Sequence, residues 1–491
     1  MYEINPDIFA APDRSQIDAA VKILGDIGCL DTSNVEREGG DGTITRLGNA
    51  VSKLPLGVRY AKMLLVAANA GILDYAIVAV AALSEADPFT SVPEHTEGDL
   101  EGKQHFDSDT DEIDKKQIEE LAGKAKRNKR WYHSAGDVFA VVLAVGAYTY
   151  AGKGAGGASE AAASKKFCEE NGLNYSIMHR IQKMRTHLAS IAKKRLGNAA
   201  GVAATTGGYT YKMAPPNETQ ERLLKQSIAS GLLDHVALHA PPGSISGDFP
   251  IDLRSAYIGC RSSPKDPLFL DRGGSLYHRD YRQLPRWVCY DSVIRKTAKD
   301  GTPISVMKYV TPIEPHWISD ISSNTRLVTH GAPVALPPPS YDACQDAIVC
   351  SVTIKYGNHG WKMPPIRKPM YDVLQSREAR NSPDFQPDDS FRWFARYLWE
   401  GKIIIELSGL VDLMNDSPVL ITQKSPSAKV TMLVSSLAGA GVDSAAALRK
   451  HWSEIDDKFL FRNLKSWIKA EHYPTAKKIW IDAVRQNIWK L

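Results

Sequence analysis

Apolar residues recur with a helical period along much of this chain and with a strand period over a few restricted stretches. Pro12-Asp13 opens a helix through Ile17, Val21 and Leu24. The glycine-rich run EGGDG (38–42) follows, then Ile44 and a second short helix around Leu47 to Leu54. Residues 58–86 are alanine-rich and helical, broken once at Gly71. Residues 138–150, VFAVVLAVGAYTY, are apolar nearly all round, which predicts a buried helix. From Phe167 to Arg195 the pattern is two-sided. Ile177, Ile181, Met184, Leu188 and Ile191 repeat at steps of four and three, while Arg180, Lys183, His187 and Lys194 fall on the other side. Two small-residue runs, 151–164 and 197–208, read as loops. A further helix spans Asn217 to Leu233, with Asn217 as N-cap and Gln220 at its third position.

Beyond that helix the period changes to two. Residues 287–294 and 304–310 are strand-like and separated by Gly and Pro, as expected of a small barrel of the OB type. The first fifty residues have the helix, loop, short extended piece and helix of a winged-helix unit. PPPSY (337–341) marks a boundary, followed by an alternation with Ile348, Cys350, Val352, Ile354 and Tyr356 on one face. Helices then dominate to the end, at 391–401, around Leu460 to Ile468, and from Thr475 to Trp489. Tryptophans concentrate in this last third, where core packing or an interface explains them better than chemistry does.

With 491 residues the chain is too long for one core, and the whole reads as an α+β multidomain protein. A 43% hydrophobic and 24% charged composition is that of a globular protein, with no apolar run of membrane-spanning length and no signal-peptide layout. The expected setting is therefore cytosolic or nuclear, without a membrane partner. Six cysteines show no C-x-x-C pair, which suits a reducing compartment. The net charge of +4 says little about an anionic partner, so local clusters decide. KAKRNKR (124–130) carries Lys126, Arg127, Lys129 and Arg130 directly ahead of Trp131 and Tyr132, a pattern able to pair phosphates and stack bases. Arg180 and Lys183 add a basic helix face, and Arg295 and Lys296 a basic strand. The bland alternatives are solvated helix ends, and strand lysines that deter edge pairing. No Gly-Lys pair is followed by Ser or Thr, so no phosphate loop is present, and G-x-S-x-G and H-E-x-x-H are absent. The sequence offers no catalytic residues and no metal site, and His359 between Gly357 and Gly360 reads as a turn residue.

Taken in order, several segments resemble the C-terminal half of a DEAH-box RNA helicase: TRLGNAVSKLPLGVRYAKMLL (45–65), GDVFAVVLAVGAY (136–148), FCEENGLNYSIMHRIQKMRTHL (167–188) and WVCYDSVIRKTAKDGTPISVMKYVTPIEPHWI (287–318). Where the family commonly has histidine after Gly-Asp, this chain has Val138. The resemblance implies a winged helix (12–58), an all-α ratchet-like bundle (59–215), a helix plus OB-fold (216–336) and an additional α/β C-terminal domain (341–491). RYAKML, FCEENGL and the long tail are most similar to the ribosome-biogenesis member, which acts on the small-subunit processome. This implies RNA partners (pre-ribosomal RNA and small nucleolar RNA), processome proteins and a nucleolar location. It also implies that ATP and Mg bind RecA-like motor domains, expected in cis or on another chain, because neither the phosphate loop nor the DEAH carboxylates occur here. The competing expectation is a scaffold or regulatory module of the pre-ribosome, without catalysis of its own.

Overall fold

The computed structural model describes residues 13–31, 42–89, 129–155, 159–196, 213–241, 243–245, 253–277, 279–297, 301–375, 385–423 and 427–488. The fold is α+β and divides into two compact units. The first comprises Met1–Val328 with Tyr356–Gly360, and the second Thr329–Lys355 with Trp361–Leu491.

The first unit starts with α1 (Arg14–Ile27), which ends on Gly28 at φ 82°, a left-handed cap that a side chain would strain. Strands β1 (Leu30–Asp31) and β2 (Thr43–Ile44) pair antiparallel, and α2 (Arg46–Val51) starts where the Thr45 side chain accepts from the Gly48 N–H. Ile27, Cys29, Val51, Leu54 and Ala61 form the core between them. Lys62 is buried in this region, and its ammonium donates to the Ile27 carbonyl at 2.7 Å, satisfying one of the last acceptors of α1.

Helices α3 (Val58–Asn69) and α4 (Leu73–Leu83) are separated by Gly71, and α5 (Asp137–Ala155), α6 (Glu160–Asn171) and α7 (Tyr175–Leu196) complete a helical bundle. Helix α5 packs against α4 and α6, while α7 lies along α4. The all-round apolar run is buried as its composition requires, with Val138, Phe139, Ala140, Val141 and Val142 at or below 1% exposure. One expectation needs correcting. The run 151–164 is not a loop throughout: α5 continues to Ala155 and α6 begins at Glu160. Alanine is the best helix former, so its repeats extend both helices despite the glycines between them.

Helix α8 (Glu218–Gly231) has the expected capping box, with Asn217 Oδ1 accepting from the Gln220 N–H at 2.9 Å and Gln220 Oε1 from the Asn217 N–H at 3.0 Å. It packs on α3. A mixed seven-stranded sheet follows, made of β3 (Val236–His239), β4 (Tyr257–Gly259), β5 (Leu268–Leu270), β6 (Trp287–Cys289), β7 (Ser292–Thr297), β8 (Pro303–Lys308) and β9 (Thr311–Pro312). Its order is β7-β8-β5-β4-β3-β6-β9, antiparallel except between β5 and β8. Ala237, Tyr257, Leu268, Val288, Tyr290 and Met307 are among its core residues. Helix α9 (Pro315–Ser322) then begins with proline in its first turn.

The second unit is built on β10 (Val328–Val334), β11 (Ser340–Asp342), β12 (Ala347–Tyr356) and β13 (Trp361–Pro369), with β12 pairing the other three. Ile348, Cys350, Val352 and Ile354 are buried on the predicted face, but Val349 and Ser351 are buried too, so exposure alternates only from Val352 on, where Thr353 and Lys355 are exposed. Helices α10 (Met370–Leu374), α11 (Asp389–Trp399), α12 (Ala428–Ala440), α13 (Ala445–Glu454), α14 (Phe461–Lys465) and α15 (Tyr473–Ile488) follow. Trp480 receives Trp399 and Trp452 edge-on, with ring centres 6.1 and 5.5 Å away, at the centre of this core.

Candidate nucleic-acid interface

Helix α7 presents the two faces its period requires. Ile181 and Leu188 are fully buried, Ile177, Met184 and Ile191 partly so, and Arg180, Lys183, His187 and Lys194 are exposed. Arg180 is not unopposed, because its Nε lies 2.8 Å from Glu85 Oε2. Lys183 makes no ion pair among the described residues. The sequence reading missed Arg185, which is 2% exposed and donates to Thr149 Oγ1 at 3.3 Å inside the bundle. It stands four residues after Ile181 and three before Leu188, so the apolar stripe itself was the signal that could have found it.

Lys129 and Arg130 are exposed on the short 3-10 turn Lys129–Trp131, while Lys126 and Arg127 lie outside the described residues. Trp131 is engaged rather than open. Its indole N–H donates to the Asn171 carbonyl at 3.3 Å, its ring tilts against Phe167, and the Arg130 guanidinium lies 5.2 Å from the ring centre. The aromatic expected beside the basic run therefore anchors the turn to the end of α6.

Arg295 and Lys296 sit on β7, an end strand of the sheet that is exposed over most of its length. Lys296 Nζ lies 3.3 Å from Asp271 Oδ1, and Lys308 Nζ reaches Asp271 Oδ2 at 2.6 Å and Asp87 at 3.7 Å. Glu85 and Asp87 belong to one short segment, which links the Arg180–Glu85 pair on α7 to the Asp87–Lys308–Asp271–Lys296 series that ends on β7. The same segment is stapled to the start of α7, where the Asn174 N–H donates to the Pro88 carbonyl at 2.8 Å. The structure thus brings the helix and strand candidates together, and in doing so neutralises Arg180 and Lys296. Lys183 and Arg295 remain without ion pairs among the described residues.

The joint beneath this ladder is Gly136-Asp137. Gly136 has φ 101°, and a Cβ there would run into the Val310 carbonyl. Asp137 Oδ1 accepts from the Ser275 N–H at 2.7 Å and Oδ2 from the Val310 N–H at 2.8 Å, while its own N–H donates to the Val310 carbonyl. Burial raises its pKa to about 6, against the pull of those two N–H groups. Tyr309, next to this joint, is a non-glycine residue at φ 54°, and its buried hydroxyl has no partner among the described residues. Asp87, Asp137, Asp271, Lys308 and Tyr309 line a small cavity here. Among the described residues no group of three or more His, Cys, Asp or Glu is arranged to hold a metal ion.

Comparison with known proteins agrees with this layout. Residues 58–141 match the helicase-associated domain HA2, described as ratchet-like, and residues 407–483 match the DEAH helicase DHX37 C-terminal domain. The ATP-dependent RNA helicase DHX37 of Homo sapiens is 25% identical over 446 residues, covering 89% of this chain and 33% of the relative. The helicase kurz of Drosophila melanogaster is 25% identical over 461 residues, covering 93% and 34%. DEAH13 of Arabidopsis thaliana is 22% identical over 517 residues, covering 97% and 36%. The chain spans about a third of the length of these relatives. It carries a ratchet-like helicase-associated domain and a DHX37-type C-terminal domain, and over most of its length it is similar to the C-terminal region of DEAH-box RNA helicases.

Proposed function

We propose that this chain is the non-motor region of an ATP-dependent DEAH-box RNA helicase that acts in small ribosomal subunit biogenesis. In this reading it grips single-stranded RNA while pre-ribosomal RNA and small nucleolar RNA are remodelled in the nucleolus. The observation that carries it is the co-occurrence, in one chain, of the ratchet-like match at 58–141 and the DHX37-type match at 407–483. Between them lies the mixed sheet, which we read as an OB-type domain, and ahead of them the α1–β1–β2–α2 unit, which we read as a winged helix. ATP and Mg would bind RecA-like motor domains, in cis or in trans, with processome proteins as neighbours.

Phosphate pairing gives grip without sequence preference, and the cations able to supply it are those without carboxylate partners. The Lys183→Glu/Arg295→Glu double variant should weaken binding of a single-stranded oligonucleotide. It should also shallow the salt dependence by about 1.4 in the slope of log affinity against log salt, since each phosphate contact to a single strand contributes about 0.7. Arg180→Glu, already opposed by Glu85, should do less. Equal affinity and slope in the wild type and the double variant would remove α7 and β7 from the interface.

A scaffold role is the second reading, and one observation favours it for the C-terminal unit. The cations on and just after α11 are matched at home: Arg396 lies 2.8 Å from Glu400, Lys402 2.6 Å from Glu400 and Arg392 3.6 Å from Asp389. Capture of pre-ribosomal proteins by a chain with no affinity for RNA would select this reading.

A further inference from the structure

The seven-stranded sheet carries a second basic surface, built from arginines of two 3-10 turns and of the lead-in to β6. At the end of β3 the His239 N–H donates to the Arg286 carbonyl at 2.8 Å, and its Nε2 donates to the Arg254 carbonyl at 2.7 Å. This one histidine therefore fixes two arginine-bearing backbones side by side. Arg254 sits in the 3-10 turn Leu253–Ser255, and Arg282 in the turn Tyr281–Gln283, which Asp280 caps by accepting from the Arg282 N–H at 3.0 Å. Between them stands the Tyr281 ring, with the Arg254 guanidinium carbon 4.7 Å and the Arg282 guanidinium carbon 5.5 Å from its centre. Arg282 Nε also donates to the Tyr281 hydroxyl at 3.1 Å. Arg254, Arg282 and Arg286 are exposed, and Arg282 and Arg286 make no ion pair among the described residues.

A guanidinium held against an aromatic ring keeps its N–H edges turned outward and loses little further freedom when it binds an oxyanion. Its fork matches a phosphate in two-point geometry, which an ammonium cannot do. The strand register connects this surface to the interface already described. Arg295 pairs Ser305, Ser305 pairs Leu268, Leu268 pairs Tyr257, and Tyr257 pairs His239, whose neighbour across β6 is Arg286. Arg295 and Arg286 thus stand as the exposed ends of one row running across the strands, on either side of the buried Ser305, Leu268 and Tyr257. Five strand spacings separate them, about 24 Å along the sheet. That length falls within the reach of the ~4–16 nucleotides that a single-strand-binding domain of this class covers.

We infer that Arg254, Arg282 and Arg286, organised around Tyr281 and His239, form a second phosphodiester-binding surface that holds the same RNA strand as Arg295. This rests on the RNA-gripping function proposed above and locates a contact that function does not by itself require. Arginine with a stacked tyrosine favours nucleic acid over an acidic protein segment, because the ring and the flat guanidiniums also offer stacking faces to bases.

The test uses the full chain and a uridine oligonucleotide, with affinity read by fluorescence anisotropy across a salt series. Arg282→Glu/Arg286→Glu should lower affinity on the order of tenfold and shallow the salt slope by about 1.4. Arg282→Lys/Arg286→Lys should keep the slope and lose part of the affinity, because charge is retained and the fork is not. Thermal unfolding should be unchanged in both, since all the altered side chains are exposed. Wild-type affinity and slope in the glutamate variant would overturn this surface, and the proposed function would survive if Lys183→Glu/Arg295→Glu still weakens binding. No RNA binding by the wild type would overturn both. If the glutamate variant lost binding to polyglutamate but kept binding to the oligonucleotide, the surface would belong to an acidic protein and the inference would fail.

Discussion

Asp137 shows how one side chain can fix the meeting of a helix and a sheet. Its two oxygens take the N–H groups of Ser275 and Val310, so α5 begins on the strands rather than in water. A carboxyl whose pKa rises from 3.8 to about 6 on folding binds its proton more tightly in the folded protein. Its contribution to stability is therefore fully present below about pH 4 and is lost as pH rises through about 6. Asp137→Asn should abolish this part of the pH dependence in urea-unfolding midpoints. It should also cost about 1–3 kcal/mol, because the amide nitrogen cannot accept the second N–H. An unchanged pH slope in the variant would show that Asp137 does not titrate in this window. The sequence displays Gly136-Asp137 plainly, but it does not tell that the pair closes onto residues 138 and 173 positions further along. Such partners are set by the packing of the whole unit.

Among the elements, α7 was the most legible. The period of its apolar residues determines which side is buried, because a helix returns every 3.6 residues whatever surrounds it. Leu188→Ala should cost about 2–5 kcal/mol in chemical denaturation, and Lys194→Ala on the exposed side no more than about 0.5 kcal/mol. Comparable losses from both would mean that the helix is not seated as described. What the period could not give is the company of the exposed cations. Arg180 and Lys183 look equivalent in sequence, yet one faces Glu85, 95 residues away, and the other has no such acid among the described residues. The same holds on β7, where Lys296 meets Asp271 and its neighbour Arg295 does not. Alternation places adjacent strand residues on opposite faces, so two neighbouring charges have different surroundings.

At the scale of the molecule, the two units have separate hydrophobic cores, and the tryptophans of the second unit are its packing centre. Trp452, 2% exposed, touches Trp480 edge-on. Trp452→Ala should destabilise the second unit by about 3–5 kcal/mol, read as faster hydrogen exchange in α11, α13 and α15. Exchange in the helical bundle 137–196 should be little altered. Equal acceleration in both would indicate a single cooperative unit.

The sequence by itself determined α3, α4, α7 and the apolar part of α5, the capping box at Asn217, the core-facing residues of the strand at 347–356 and the ordered segments that tie the chain to helicase relatives. All of these depend on short-range periodicity, local hydrogen bonding or residue order. The helical ends within 151–164 follow from alanine propensity that the loop reading overlooked, whereas only the tertiary structure decided that Trp131 anchors a turn and which cations are matched by acids. It also assembled Arg254, Tyr281, Arg282 and Arg286, whose sequence positions span more than thirty residues, around a single histidine. Local pattern carries the sign and periodicity of each element, whereas the field at a surface depends on charges that only folding brings within a few ångströms.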